Sequence, residues 1–257
     1  TTFEHIKKRD RSSYVNDEKC LVQTLVLIEQ RGILYLVSTP IGNLGDMSHR
    51  GVEILKKVPL VAAEDTRQSR KLFSHYDINT QLISYFEHNR VSRIPKLMNH
   101  LMDGKDLALI TDAGTPGISD PAYKIVREAI DHSVEVVSIP GSSAVLAALV
   151  ASGLPTDRFL FEGFLPPKKG RKGRIENVKE LQVTLVYYES PHRLGKTLMQ
   201  LHDILGDRPA VVARELTKIH EEIKRGTLSE LSSYYKEVKP KGECVILVGK
   251  NDKNVYF

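Results

Sequence analysis

The sequence has little of what stabilises secreted or membrane-embedded proteins. It holds only two cysteines, Cys20 and Cys244, whose separation matches no metal-ligand spacing. Two thiols cannot make a disulfide framework, which suits a reducing compartment. No apolar run approaches the roughly 20 residues of a membrane span, and Cys20–Ile28 falls well short. Charges of both signs precede that run, which is poor signal-peptide grammar. A cytoplasmic protein without membrane contact is expected.

Several chemical signatures are missing too. There is no G-x-G-x-x-G dinucleotide fingerprint and no G-x-S-x-G nucleophile elbow. The nine histidines show no H-E-x-x-H spacing, so no metal site is expected. Ser190–Thr197 ends in Gly195-Lys196-Thr197 and resembles a phosphate loop. However, Ser190 stands where the first glycine is needed and Pro191 removes a backbone donor, which excludes the NTPase reading.

The 257 residues suffice for one large α/β domain or two small ones. The net charge of +5 favours a polyanionic partner without requiring one. Residues 1–32 lack turn grammar and read as an N-terminal extension. From Ile33, short apolar runs alternate with helical spacing: strands at 33–37, 60–63, 81–86, 106–111 and 134–139, and helices at 48–57, 68–75, 90–102, 121–130 and 141–151. That alternation implies βαβ units and a mostly parallel sheet. Gly153-Leu154-Pro155 marks a boundary, giving an N-terminal α/β domain at 33–153, a C-terminal α+β domain with a mixed sheet at 154–250, and a tail at 251–257.

Three glycine-punctuated loops each follow an expected strand: Thr39–Asp46, Asp112–Asp120 and Pro140–Ala144. Glycine lets backbone N–H groups approach a ligand, and open α/β sheets bind ligands at the carboxyl ends of their strands. Taken singly, each loop is also an ordinary tight turn.

At these loops the sequence resembles the tetrapyrrole methylase superfamily, and within it the ribosomal RNA small-subunit methyltransferase I family. The resemblance rests on Leu34–Leu44, Ala63–Arg67, Ile110–Pro121, Pro140–Ala144, Phe161–Pro166, Tyr188–Arg193 and Ala213–Lys218. It runs from about Ile33 to Lys250, and residues 1–32 have no counterpart in it. It implies a two-domain tetrapyrrole-methylase-like α/β fold, a homodimer, S-adenosyl-L-methionine as cofactor, and methyl transfer to the 2′-hydroxyl of a cytidine in small-subunit (16S) ribosomal RNA. By motif position it places Pro40, Asp112, Ala113, Gly114, Thr115, Ile118, Ser142 and Ser143 along the cofactor. Asn43, Glu64, Arg67, Glu189 and Arg193 fall towards the substrate. Other readings are a methylase of the same fold acting on a tetrapyrrole or protein side chain, and a non-catalytic RNA-binding protein.

Such a reaction needs orientation, water exclusion and deprotonation of a weak nucleophile. Glu64 and Glu189 are the candidate base or orienter, with Arg67 beside Glu64; the alternative for each is a structural ion pair, with Arg67 and Arg193 respectively. Arg67 and Arg70 share a helix face. Lys168, Lys169, Arg171, Lys172 and Arg174 are five basic residues in seven. They read either as a solvated charge run or, with their glycines, as a mobile clamp on an RNA backbone.

Overall fold

The computed structural model describes residues 31–120 and 122–256; the expected extension, apart from its last two residues, lies outside them. Chain contacts divide the protein into two units. The first comprises residues 31–37, Val52–Ile110 and 122–139. The second comprises Ser38–Gly51, Thr111–Asp120 and 140–256.

The first unit carries strands β1 (Leu34–Val37), β2 (Leu60–Ala63), β3 (Gln81–Ser84), β4 (Leu107–Ile110) and β5 (Val136–Ile139). Every pairing among them is parallel, in the order β3-β2-β4-β1-β5. The β4 residues are all buried, as befits a central strand covered on both faces. Helix α1 (His49–Lys57) begins in the second unit and ends in the first. Helices α2 (Thr66–His75), α3 (Arg90–Met102) and α4 (Ala122–Asp131) belong to the first. One core cluster joins Leu34, Leu107 and Leu109 of the sheet with Leu97 and Leu101 of α3 and Ile125 of α4. Asp65 caps α2 by accepting from the Arg67 amide at 2.8 Å, which satisfies one of the orphan donors at the helix start.

The second unit holds helix α5 (Ala144–Ser152), strands β6 (Phe159–Phe164) and β7 (Thr184–Glu189), and between them the short helix α6 (Arg171–Glu176). Helix α7 (Leu194–Leu205), strands β8 (Pro209–Arg214) and β9 (Glu222–Thr227), helix α8 (Leu228–Glu237) and strand β10 (Cys244–Val248) complete it. The sheet order is β6-β7-β10-β8-β9, with β6-β7 parallel and the other pairs antiparallel, so the sheet is mixed. Side chains alternate across it with period two. Leu185, Tyr187, Val212 and Ile246 face one cluster with Leu198 of α7 and Leu231 of α8. Val186, Val211 and Leu247 face another with Val145 and Leu149 of α5.

This division departs from the contiguous one drawn at Gly153. The three glycine loops and α5 group with the C-terminal unit, because their contacts are made to its sheet and to one another. A chain can leave a strand of one unit and pack in the next, which sequence order does not reveal.

Candidate functional site

The three glycine loops leave three adjacent strands. In the parallel register Val37 pairs with Ile139, and β1 lies between β4 and β5. Loops 38–51, 111–120 and 140–143 therefore start at one sheet edge, from strands spaced about 4.8 Å apart. Ala63, paired with Ile110, ends β2 at the same edge, so Glu64 follows it there.

Within the second unit the loops are tied by hydrogen bonds. Thr39 and Gly114 exchange backbone bonds at 2.9 and 3.0 Å. Thr39 Oγ1 donates to the Thr111 carbonyl at 3.0 Å. Ser38 Oγ donates to Thr115 Oγ1 at 3.0 Å, and Thr115 Oγ1 donates to the Ser142 carbonyl at 3.2 Å. Asp112–Ile118 and Ser142 thus share one locality. Gly117 N–H donates to both Asp120 carboxylate oxygens at 2.8 Å, closing the turn.

Two glycines are required by geometry. Gly114 has φ +90°, a backbone state that side chains rarely adopt. A Cβ on Gly42 would lie 2.5 Å from Lys218 Cγ, 2.9 Å from Thr217 Oγ1 and 3.0 Å from the Leu216 carbonyl. A fourth loop, Glu215–Lys218, therefore packs against the first. It carries Glu215 and Thr217 at φ +50° and +68°, strained values of the kind that gather at functional sites. Sequence reasoning gave this segment no role, because its approach to Gly42 is a contact between residues far apart in the chain.

The expected cofactor residues differ in what they do. Ser143 caps α5 by accepting from the Leu146 amide, so its hydroxyl has a structural task. Ser142 Oγ is buried and has no hydrogen-bond partner, an arrangement that costs free energy unless a ligand atom completes it. Ile118 is 46% exposed, and Pro40 is half-buried. Asn43 accepts from the Gly45 amide at 2.9 Å and so starts a single 3-10 turn. The orphaned serine, the positive-φ glycines and the exposed Asp112 and Ala113 lie along the same hydrogen-bonded loops, where glycine lets backbone N–H groups approach a polar ligand.

Glu64, Arg67 and Arg70 belong to the first unit. Arg67 is paired bidentately with Asp65, not with Glu64: Nη2 lies 2.7 Å from Oδ2 and Nε 3.0 Å from Oδ1. This hydrogen bonding holds the Asp65 carboxyl down at about 2. Arg67 and Arg70 are exposed.

For Glu189, read as base or orienter or else as an ion pair with Arg193, the geometry favours the ion pair. It is 1% exposed and all its acceptor sites are occupied. Oε1 accepts from Arg193 Nη2 at 2.7 Å and from the Ser190 amide at 2.8 Å. Oε2 lies 2.6 Å from Thr197 Oγ1 and 3.3 Å from Arg171 Nη2. No lone pair remains to take a proton from a nucleophile.

Arg171 is corrected from RNA contact to buried strut. It is 7% exposed. Besides Glu189 it bonds Gln200 Oε1 at 2.7 Å, the Pro166 carbonyl at 3.2 Å and Thr197 Oγ1. The expected mobile clamp is instead helical from Arg171 to Glu176, since these bonds fix its first residue. Arg174 is ion-paired to Glu162 and Lys172 to Glu176 at 3.6 Å. Lys168 and Lys169 remain exposed.

The profile of the Tetrapyrrole (Corrin/Porphyrin) Methylases family matches residues 33–232. Ribosomal RNA small subunit methyltransferase I of Halalkalibacterium halodurans is 48% identical over 227 residues, covering 88% of this chain and 78% of that protein. The protein of the same name from Synechocystis sp. is 51% identical over 221 residues, covering 85% and 79%. Among solved structures, uroporphyrin-III C-methyl transferase from Thermus thermophilus, complexed with S-adenyl homocysteine, matches with a TM-score of 0.61 at 20% identity, covering 85% of this chain and 97% of that one; this likeness concerns the fold. With loops, sheet orders and sequence in agreement, the chain belongs to the ribosomal RNA small subunit methyltransferase I family, within the tetrapyrrole methylases.

Proposed function

We propose that the protein transfers a methyl group from S-adenosyl-L-methionine to the 2′-hydroxyl of a cytidine in small-subunit (16S) ribosomal RNA. The observation that carries this reading is the convergence of three glycine loops from adjacent strands on an unpartnered, buried Ser142 hydroxyl. The cofactor supplies an activated sulfonium methyl. Pro40, Asp112, Ala113, Gly114, Thr115, Ile118, Ser142 and Ser143 would hold it, with Ser142 Oγ and the backbone of the positive-φ turn fixing its polar groups. The bonds from Ser38 through Thr115 to Ser142 pre-organise the cradle, and orientation alone can lower such a barrier by roughly 7–11 kcal/mol at best.

With Glu189 saturated, Glu64 is the carboxylate assigned as base or orienter, a contribution of about 10²–10⁴-fold when general-base help operates. Asn43, Arg67, Arg70 and Arg193 are assigned to the substrate side. Lys168, Lys169 and Lys172 are assigned to its phosphates. The protein acts as a cytoplasmic homodimer, a state that sedimentation measures directly.

The test is mass-spectrometric mapping of ribose methylation in small-subunit rRNA incubated with the protein and S-adenosylmethionine. One cytidine gaining a 2′-O-methyl group is expected. Methylation confined to bases, or none on RNA alongside methylation of a tetrapyrrole, would refute the assignment.

A further inference from the structure

The basic segment 168–174 and the start of α7 are some 20 residues apart in sequence, yet they are fastened together inside one unit. Arg171 reaches across to Glu189, Thr197 and Gln200. Arg193, the N-cap of α7, and Lys196 and Gln200 within it follow one another at i, i+3 and i+7, which puts them along one face. Gln200 is the residue bonded to Arg171, so that face abuts the basic segment. Lys196 is exposed and the Arg193 side chain is 34% exposed.

Charge balance gives the surface its character. One buried carboxylate, Glu189, serves two guanidinium groups. Arg171 takes its place in the interior, and Arg193 remains at the boundary with a positive charge only half compensated. Elsewhere in the segment, Glu162 neutralises Arg174 and Glu176 accompanies Lys172. Lys168, Lys169 and Lys196 have no carboxylate within ion-pair distance among the described residues.

We propose that Lys168 and Lys169, together with Arg193 and Lys196 of α7, form one continuous phosphate track for an RNA backbone, with Arg171 and Glu189 as the buried positioning pair that joins its halves. This rests on the RNA substrate proposed above and adds Lys196, which the sequence motifs left without a role. Lysines and arginines spaced along a helix face suit successive backbone phosphates and carry no base specificity, so the track sets grip and register rather than the choice of nucleotide.

The experiment is a fluorescence-anisotropy titration of the full chain with a labelled transcript of small-subunit rRNA across about 50–200 mM salt. Variants are Lys168→Gln, Lys196→Gln, Arg174→Gln and, at an exposed position of α4, Lys124→Gln. Calorimetric S-adenosylmethionine binding by each variant reports an intact second unit. Each lost phosphate contact flattens the slope of log K against log salt by about 0.7–0.9. That flattening is expected for Lys168→Gln and Lys196→Gln, and an unchanged slope for Arg174→Gln and Lys124→Gln. A wild-type slope in Lys196→Gln, while Lys168→Gln is flattened, would overturn the track and leave the RNA reading standing. A wild-type protein whose RNA binding is absent or indifferent to salt would overturn both. Lys196-dependent binding to phosphatidylserine vesicles in preference to RNA would also overturn the track.

Discussion

Removing the Glu189 carboxylate separates an anchor from a base. Glu189 is 1% exposed and its two oxygens meet four donors at 2.6–3.3 Å. In Glu189→Ala the Arg171 guanidinium stays in the interior without its counter-ion, and breaking a buried pair in this way costs about 3–5 kcal/mol. Glu189→Gln keeps the volume and one acceptor oxygen, but it also removes the counter-ion and turns an NH2 group on donors, so its cost is of the same order, about 3–5 kcal/mol. Replacing both partners, Arg171→Met with Glu189→Leu, restores much of the loss, because two desolvation penalties vanish together. Urea unfolding followed by circular dichroism measures all three. A Glu189→Ala variant within about 1 kcal/mol of the parent, combined with abolished turnover in Glu189→Gln, would show that the carboxylate works on substrate and that the anchoring argument is wrong.

Other consequences can be measured separately. Gly42→Ala drives a methyl group into Lys218, Thr217 and the Leu216 carbonyl at 2.5–3.0 Å; it should cost about 1–3 kcal/mol and weaken S-adenosylmethionine binding in calorimetry, whereas Gly45→Ala, whose nearest contact is 3.2 Å, should do less. Burial pushes the Cys244 thiol up to about 12, so the thiolate is scarce at pH 8; peptide mapping after alkylation should find Cys244 unmodified in the native protein and modified in urea. Asp65, held at about 2 by Arg67, has a folded value below its unfolded one. Its contribution is therefore complete above about pH 5, declines as the pH falls through about 4 to 2, and is gone only below both values, near about pH 1. Denaturation curves for Asp65→Asn and the parent should accordingly converge as the pH falls, and a constant gap down to pH 2 would contradict the pairing with Arg67.

Much of the second unit was legible as pattern. The mainly apolar runs Val183–Tyr188 and Glu243–Val248 read as strands, and they form β7 and β10 within a residue or two, because a strand covered on both faces is apolar along nearly its whole length. The glycine loops were legible as tight turns for a local reason: positive φ at Gly114 and close approach at Gly42 admit no side chain. Charge was the poorest guide. Five basic residues in a row of seven looked alike, yet Arg171 turned inward and Arg174 and Lys172 found carboxylates, since long side chains take whichever partner the fold presents.

By itself the sequence determined the elements, the positions where only glycine fits, and the family wording of the loops, all of which depend on neighbours a few residues away. Tertiary structure alone decided that β4, β1 and β5 lie side by side, so that three distant loops meet. It also decided that Glu189 is a sealed counter-ion rather than an open base. Strand order and burial are properties of contacts between segments far apart in the chain, and a carboxylate's role follows from which donors surround it.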